Sequence, residues 1–186
     1  AQNSQGICMR LLVTLCISLL LAACATKVTS LNQDQDKPLT KDKGYLLLGI
    51  QTNLDLQSIE IDGPTDISLA SADLKKGTNY FLLDLAAGTY TIEKLKLPNH
   101  WRVNLSDEEL WHFEVTPGKI NYVGHLEIVT RGFWYPITNA ELVNRSSEAL
   151  EFMEEKFANI LSSRALEYGG PGEDGFFDLL TKRDKE

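Results

Sequence analysis

After Cys24 the chain has no cysteine; the three in the sequence are Cys8, Cys16 and Cys24. The residues that follow can form no disulfide, thiolate nucleophile or cysteine metal cluster, so their stability must come from burial. Long apolar runs are also lacking. Leu11 to Ala23 spans 13 residues, well short of the roughly 20 that a bilayer-crossing helix needs at ~1.5 Å per residue. Basic charge is scarce, with 18 Lys and Arg against 26 Asp and Glu for a net charge of −8. That balance disfavours nucleic acid as a partner, and adhesion of the chain as a whole to anionic lipid. No G-x-S-x-G elbow, Walker A loop, H-E-x-x-H or EF-hand loop follows Cys24. Gly170-x-Gly172-x-x-Gly175 matches the dinucleotide fingerprint only formally. It contains Pro171 and leaves 11 residues behind it, too few for a βαβ unit.

What is present begins with Met9-Arg10 and an apolar stretch closing on Leu21-Ala22-Ala23-Cys24. A short positive start, a Leu-rich middle and small residues at a cut describe a cleaved signal peptide. Residues 1–8 precede Met9 and are set aside as an upstream remnant. Leu21-Ala22-Ala23-Cys24 resembles the lipobox of bacterial lipoproteins. The resemblance implies cleavage between Ala23 and Cys24, diacylglycerol and acyl chains (palmitate) on Cys24, and attachment to the cell envelope. By the same resemblance Ala25, which is not Asp, permits transfer to the outer membrane, facing the periplasm or the cell surface.

Residues 24–43 are polar, contain Pro38 and lack aromatics. They read as a lipid-anchored flexible tether with an r.m.s. reach of roughly 25 Å. From residue 44 to 140 short apolar or alternating runs are separated by turn residues, predicting a β domain. Tyr45 to Thr52 is apolar enough for a strand covered on both faces. Tyr80 to Leu85 and Thr89 to Leu97 flank Ala86-Ala87-Gly88 as a hairpin. In the second of these the inward set shifts from Tyr90 and Ile92 to Leu95 and Leu97, which predicts a β-bulge near Glu93 and Lys94. Leu110 to Thr130 reads as a second hairpin about Thr116-Pro117-Gly118-Lys119, with Val115 opposite Ile120 and Phe113 opposite Tyr122.

Leu85-Ala86-Ala87-Gly88-Thr89-Tyr90-Thr91-Ile92 resembles the L-x-x-G-x-Y-x-[VI] signature of prealbumin-like, transthyretin-like sandwiches. Val115 to Gly124 is similar to a V-x-P-G-K-x-x-Y-[VI]-G hairpin of small bacterial lipoproteins with that fold. The resemblance implies an antiparallel β-sandwich of about seven strands. Its motifs carry no catalytic residue. Between residues 141 and 168, Leu150, Met153, Phe157, Ile160 and Leu161 recur at helical spacing, predicting one C-terminal amphipathic helix capped by Asn144. Residues 169–186 read as a Gly-rich break and flexible acidic tail, in which Phe176, Phe177, Leu179 and Leu180 are candidate partner contacts.

The hairpin register would place His112, Glu114, His125 and Glu127 on one outer face, which suits zinc chemically. An outer face is also where polar residues ordinarily lie, so we expect no metal, no cofactor and no catalytic set. The sequence reading is a non-catalytic binding or structural accessory module, anchored to a membrane through its N-terminal lipid. One alternative is a subunit of an envelope assembly that docks a protein partner through the helix and tail. The enzyme alternative is a zinc-dependent periplasmic hydrolase using His112 and His125.

Overall fold

The computed structural model describes residues 25–105, 109–132 and 134–183. Ala23 and Cys24, the expected cleavage and lipidation residues, lie outside them. The chain is mainly β. Its strands are β1 (Thr26–Val28), β2 (Lys43–Thr52), β3 (Ser58–Asp62), β4 (Ile67–Ala70), β5 (Gly77–Ala86), β6 (Gly88–Lys96), β7 (Arg102–Asn104), β8 (His112–Val115), β9 (Ile120–Arg131), β10 (Ile137–Val143) and β11 (Leu166–Tyr168). The helices are α1 (Ser146–Lys156), α2 (Ala158–Ser163) and α3 (Phe176–Arg183).

Two sheets form. The first has the order β1-β4-β3-β6-β7, with β8 also on β6; the second runs β10-β9-β2-β5, with β11 also on β9. Both are mixed, because β1 joins β4, β2 joins β9 and β11 joins β9 in parallel. The expectation of purely antiparallel sheets is corrected here. Leu46, Leu48 and Ile50 of β2 share one core with Ile59, Tyr90, Ile92 and Phe113 of the first sheet. Tyr45 and Leu47, on the opposite face of β2, join Leu82 and Tyr122 in a second core with Ala149, Met153, Phe157, Ile160 and Phe177 from the helical region. β2 is therefore covered on both faces, as its apolar run implies. The bulge expected in β6 is also present: Ile61 pairs with Ile92 but Glu60 pairs with Lys94, leaving Glu93 as the extra residue.

Neither expected hairpin forms. β5 pairs with β2 in the second sheet and β6 with β3 in the first. Likewise Phe113 on β8 lies opposite Tyr90, while Tyr122 on β9 lies opposite Leu47. The turn 116–119 is held by the Asn121 side chain at the start of β9 and by Lys43 of β2. The buried Asn121 amide donates to the Thr116 and Tyr45 carbonyls (3.1 Å each), its oxygen accepts from the Thr116 N–H at 2.9 Å, and the Gly118 N–H donates to the Lys43 carbonyl at 2.8 Å. With its polar groups satisfied this way, the turn can send β8 and β9 to different sheets.

The single expected helix is two. The N-cap of α1 is Arg145 and not the expected Asn144, whose Oδ1 accepts from the Ser146 N–H at 2.9 Å from one position earlier, and Phe157 at φ −138° and ψ 41° breaks the run before α2. The free N–H groups at the start of α2 are met by Asp34, which accepts from Asn159 (2.8 Å) and Ile160 (3.0 Å). Residues 25–43 are thus a strap across the fold, in place of the flexible tether expected. Thr26 donates its N–H to the Asp66 carbonyl and Leu31 to that of Leu82, while Asp36 pairs with Arg164, whose guanidinium lies over the Tyr45 ring.

The tail is also packed where it is described. Gly169 donates its N–H to the Tyr122 carbonyl and accepts from the Glu114 N–H, linking β9 to β8. A Cβ at Gly169 would stand 2.6 Å from the Glu114 carbonyl oxygen, so the glycine allows a close backbone approach. Asp174 accepts from the Ser146 hydroxyl and the Phe176 N–H. Phe177 is 5% exposed. Removing residues 169–186 should therefore destabilise the domain by about 3 kcal/mol or more, the cost of emptying one buried Phe site. Denaturant titration checks this, and an unchanged midpoint would place the tail outside the core.

Candidate functional site

The four polar residues expected on one face are dispersed. His112 is exposed on β8 in the first sheet, whereas His125 on β9 in the second sheet is 0% exposed. The cause is a bulge in β9. Leu47 pairs with Tyr122 and Gly49 with His125, so β9 spends three steps against two on β2. Alternation reverses there. Ile120 and Tyr122 face the helices before the bulge, and Leu126 and Ile128 face the first sheet after it. Glu114 stays exposed, and Glu127 pairs with Arg145. Among the described residues no three His, Cys, Asp or Glu side chains gather as a metal site.

His125 is instead the centre of a sealed polar row. The Tyr122 hydroxyl lies 2.8 Å from its Nδ1 and accepts the Arg145 backbone N–H at 2.9 Å. With that N–H directed at the oxygen, we assign the phenol proton to Nδ1, which leaves the imidazole proton on Nε2. Nε2 is buried with no hydrogen-bond partner. The ring lies over Gly49, where a Cβ would come within 2.3 Å of Nε2. Tyr80, opposite Gly49 on β5, meets the imidazole edge-on at 5.0 Å and stacks on Phe152 of α1 at 4.2 Å. Burial pushes the His125 pKa down to about 4 and raises that of the Tyr122 phenol. A neutral, enclosed imidazole serves packing and local order and is badly placed for proton transfer with a solute.

The tail residues separate. Phe177 is taken up by the second core and Phe176 packs partly against it, which corrects the reading of Phe177 as an accessible contact. Leu179 is 67% exposed. Leu180 lines a groove of about 640 Å³ with Leu150, Leu161, Leu166 and Phe177.

A different surface carries the exposed aromatics. Trp134 (79%), Tyr135 (83%) and Ile137 (77%) stand in the β9–β10 loop and at the start of β10, with Trp101 (42%) beside them from the β6–β7 loop. The two loops share a cavity of about 220 Å³ lined by Leu54, Leu97, Pro98, Trp101, Gly132 and Pro136. Trp101 is presented by two consecutive left-handed residues, Asn99 (φ 57°) and His100 (φ 64°), a backbone state that costs a non-glycine residue about 1 kcal/mol or more. The turn is closed by the Leu97 N–H on the Trp101 carbonyl at 2.9 Å. Sequence reasoning passed over this site. Its signal was the aromatic run Phe133-Trp134-Tyr135 between Gly132 and Pro136 in the sequence.

Compared with known proteins, the chain matches no family model, no curated protein and no solved structure.

Because His125 in the folded chain holds a proton less readily than its ordinary value of 6.5, the unfolded chain binds more protons between those limits. The stability this group contributes is present above about pH 6.5 and is lost as pH falls toward about 4. From about pH 7 to about pH 4.5 unfolding free energy should fall by about 2 kcal/mol more in wild type than in His125→Phe, measured by urea titration. Equal slopes would place the pH dependence elsewhere. Gly49→Ala should destabilise by about 2 kcal/mol or more, with most of that loss absent in the His125→Ala background.

Proposed function

We propose that this chain is a lipid-anchored lipoprotein of the bacterial envelope, held by Cys24, and that its folded part is a non-catalytic binding or structural accessory module. The observation that carries the anchor is Leu21-Ala22-Ala23-Cys24 at the end of a Leu-rich run. Described structure begins almost at once after it, with β1 at Thr26. Under this reading the lipid holds a packed corner of the domain close to the bilayer, since residues 25–43 are strapped to the fold. Transfer to the outer membrane follows from Ala25 by resemblance to Gram-negative lipoproteins. We further read the two sheets sharing one core as a β-sandwich of prealbumin-like kind, extended by a helical layer.

The binding role is supported by where the chemistry lies. The buried imidazole of His125 is enclosed and its pKa is pushed down, away from neutrality, whereas the exposed aromatic side chains collect at one end of the fold. Docking as an envelope subunit through the tail remains a second reading, favoured by exposed Leu179 and confined to Leu179 and Leu180 now that Phe177 is internal.

Cys24→Ser should abolish acylation and leave an unprocessed or soluble species, because the hydroxyl cannot replace the thiolate in diacylglyceryl transfer. The check is labelled palmitate in cells followed by membrane fractionation. Equal labelling of wild type and variant would overturn the anchor.

A further inference from the structure

We propose that the end of the fold bearing Trp101, Trp134 and Tyr135 is the docking face of the module, and that its occupant is a protein presenting an apolar side chain inside an acidic rim. The inference rests on the binding role proposed above and names its partner class. Composition comes first. Protein interfaces are enriched in Trp, Tyr and Arg and depleted of Asp and Glu at their centres, and this surface combines those aromatics with Arg102 and Arg131, both exposed.

Charge specifies the partner. In a chain with 26 carboxylate residues, none lies between Lys94 and Ser106 or between Ile128 and Ala140, the two stretches that carry the site. Lys94 and Lys96 are matched by Glu60. Asp55, next to Leu54 of the cavity, is engaged by the Lys75 ammonium and the Lys76 N–H. Arg102 and Arg131 make no ion pair among the described residues, so they are left to attract an acidic rim. The cavity of about 220 Å³ between the loops takes an apolar side chain, with Trp101 as one wall.

The same observations decide against two other occupants. A second copy meeting tip to tip would set Arg102 and Arg131 against their own kind, with no carboxylate from either loop to relieve them. The bilayer holding Cys24 lies at the wrong end. Thr26 is level with Ile67, and Ile67 with Ile61; Ala70 is level with Ser58, and Ser58 with Lys96, from which the Trp101 loop departs. β1 and β7 are also opposite edges of the first sheet. A lipid on Cys24 therefore turns the aromatic end away from its own membrane.

A photo-cross-linking amino acid in place of Tyr135 in the full-length chain, in the cells that make it, tests this. The same residue in place of Glu151 on the exposed face of α1 is the control. The expected result is one protein adduct at position 135 and none at 151. That protein, purified, should bind the purified full-length chain with a Kd weakened at least tenfold by Trp134→Ala and by Arg131→Glu, and weakened by added salt, with both variants keeping the wild-type melting temperature. An adduct of twice the chain mass, binding that ignores both substitutions, attachment to phosphatidylglycerol vesicles through Trp134, or no adduct at 135 would each overturn the proposal. Palmitate labelling of the wild type and of the same variants keeps this result separate from the anchor: no adduct at 135, or binding that ignores both substitutions, with Cys24 still acylated refutes the docking face alone.

Discussion

A strand that is apolar on both faces has to be covered twice, and β2 sets that requirement for the molecule. Leu46, Leu48 and Ile50 need one cover and Tyr45 and Leu47 another. Burying a side chain of this size is worth about 1.5–3 kcal/mol, so leaving either face in water would forfeit much of the margin by which a domain is folded. The first sheet supplies one cover. The helical region supplies the other, together with Phe177 from the tail, and the ends of the chain are drawn in because two covers take more chain than one.

The sequence announces which residues are apolar and on which alternation, and this was enough to place β2, the bulge at Glu93 and the stripe through Met153 and Ile160. It says less about partners. Val115, Phe113, Ile120 and Tyr122 satisfy hairpin alternation as well as they satisfy membership of two facing sheets. What separates the cases is the set of hydrogen bonds around the intervening turn, of which the Gly118 bond to Lys43 and the Asn121 bond to Tyr45 reach residues far away in sequence. The four-residue His and Glu group failed for a similar reason. One extra residue at Val123–Gly124 sends His125 inward, and nothing local in Tyr122-Val123-Gly124-His125 marks the bulge apart from the glycine.

The tail misled in the opposite direction. Gly169 and Gly170 were read as a break, yet each sits where another backbone or ring leaves no space for a Cβ. Glycine serves loose turns and tight contacts alike, and only the neighbours distinguish them. The aromatic end was legible in principle from its composition. It escaped because periodicity, the signal that found the strands, does not register a cluster confined to turns.

Asp34 and the start of α2, which it caps, are 125 residues apart in sequence, and Asp36 and Arg164 are 128 apart. The parallel pairing of β2 with β9 is shorter in reach but still joins distant segments, as in Tyr45 with Ile120. Chains whose contacts join distant segments pay loop-closure entropy before they are rewarded, and they fold slowly. In this fold the N-terminal strap cannot find its place until nearly all of the chain is available. A polypeptide arranged this way stays open while it is being made, which would suit the export that the proposed lipid anchor requires.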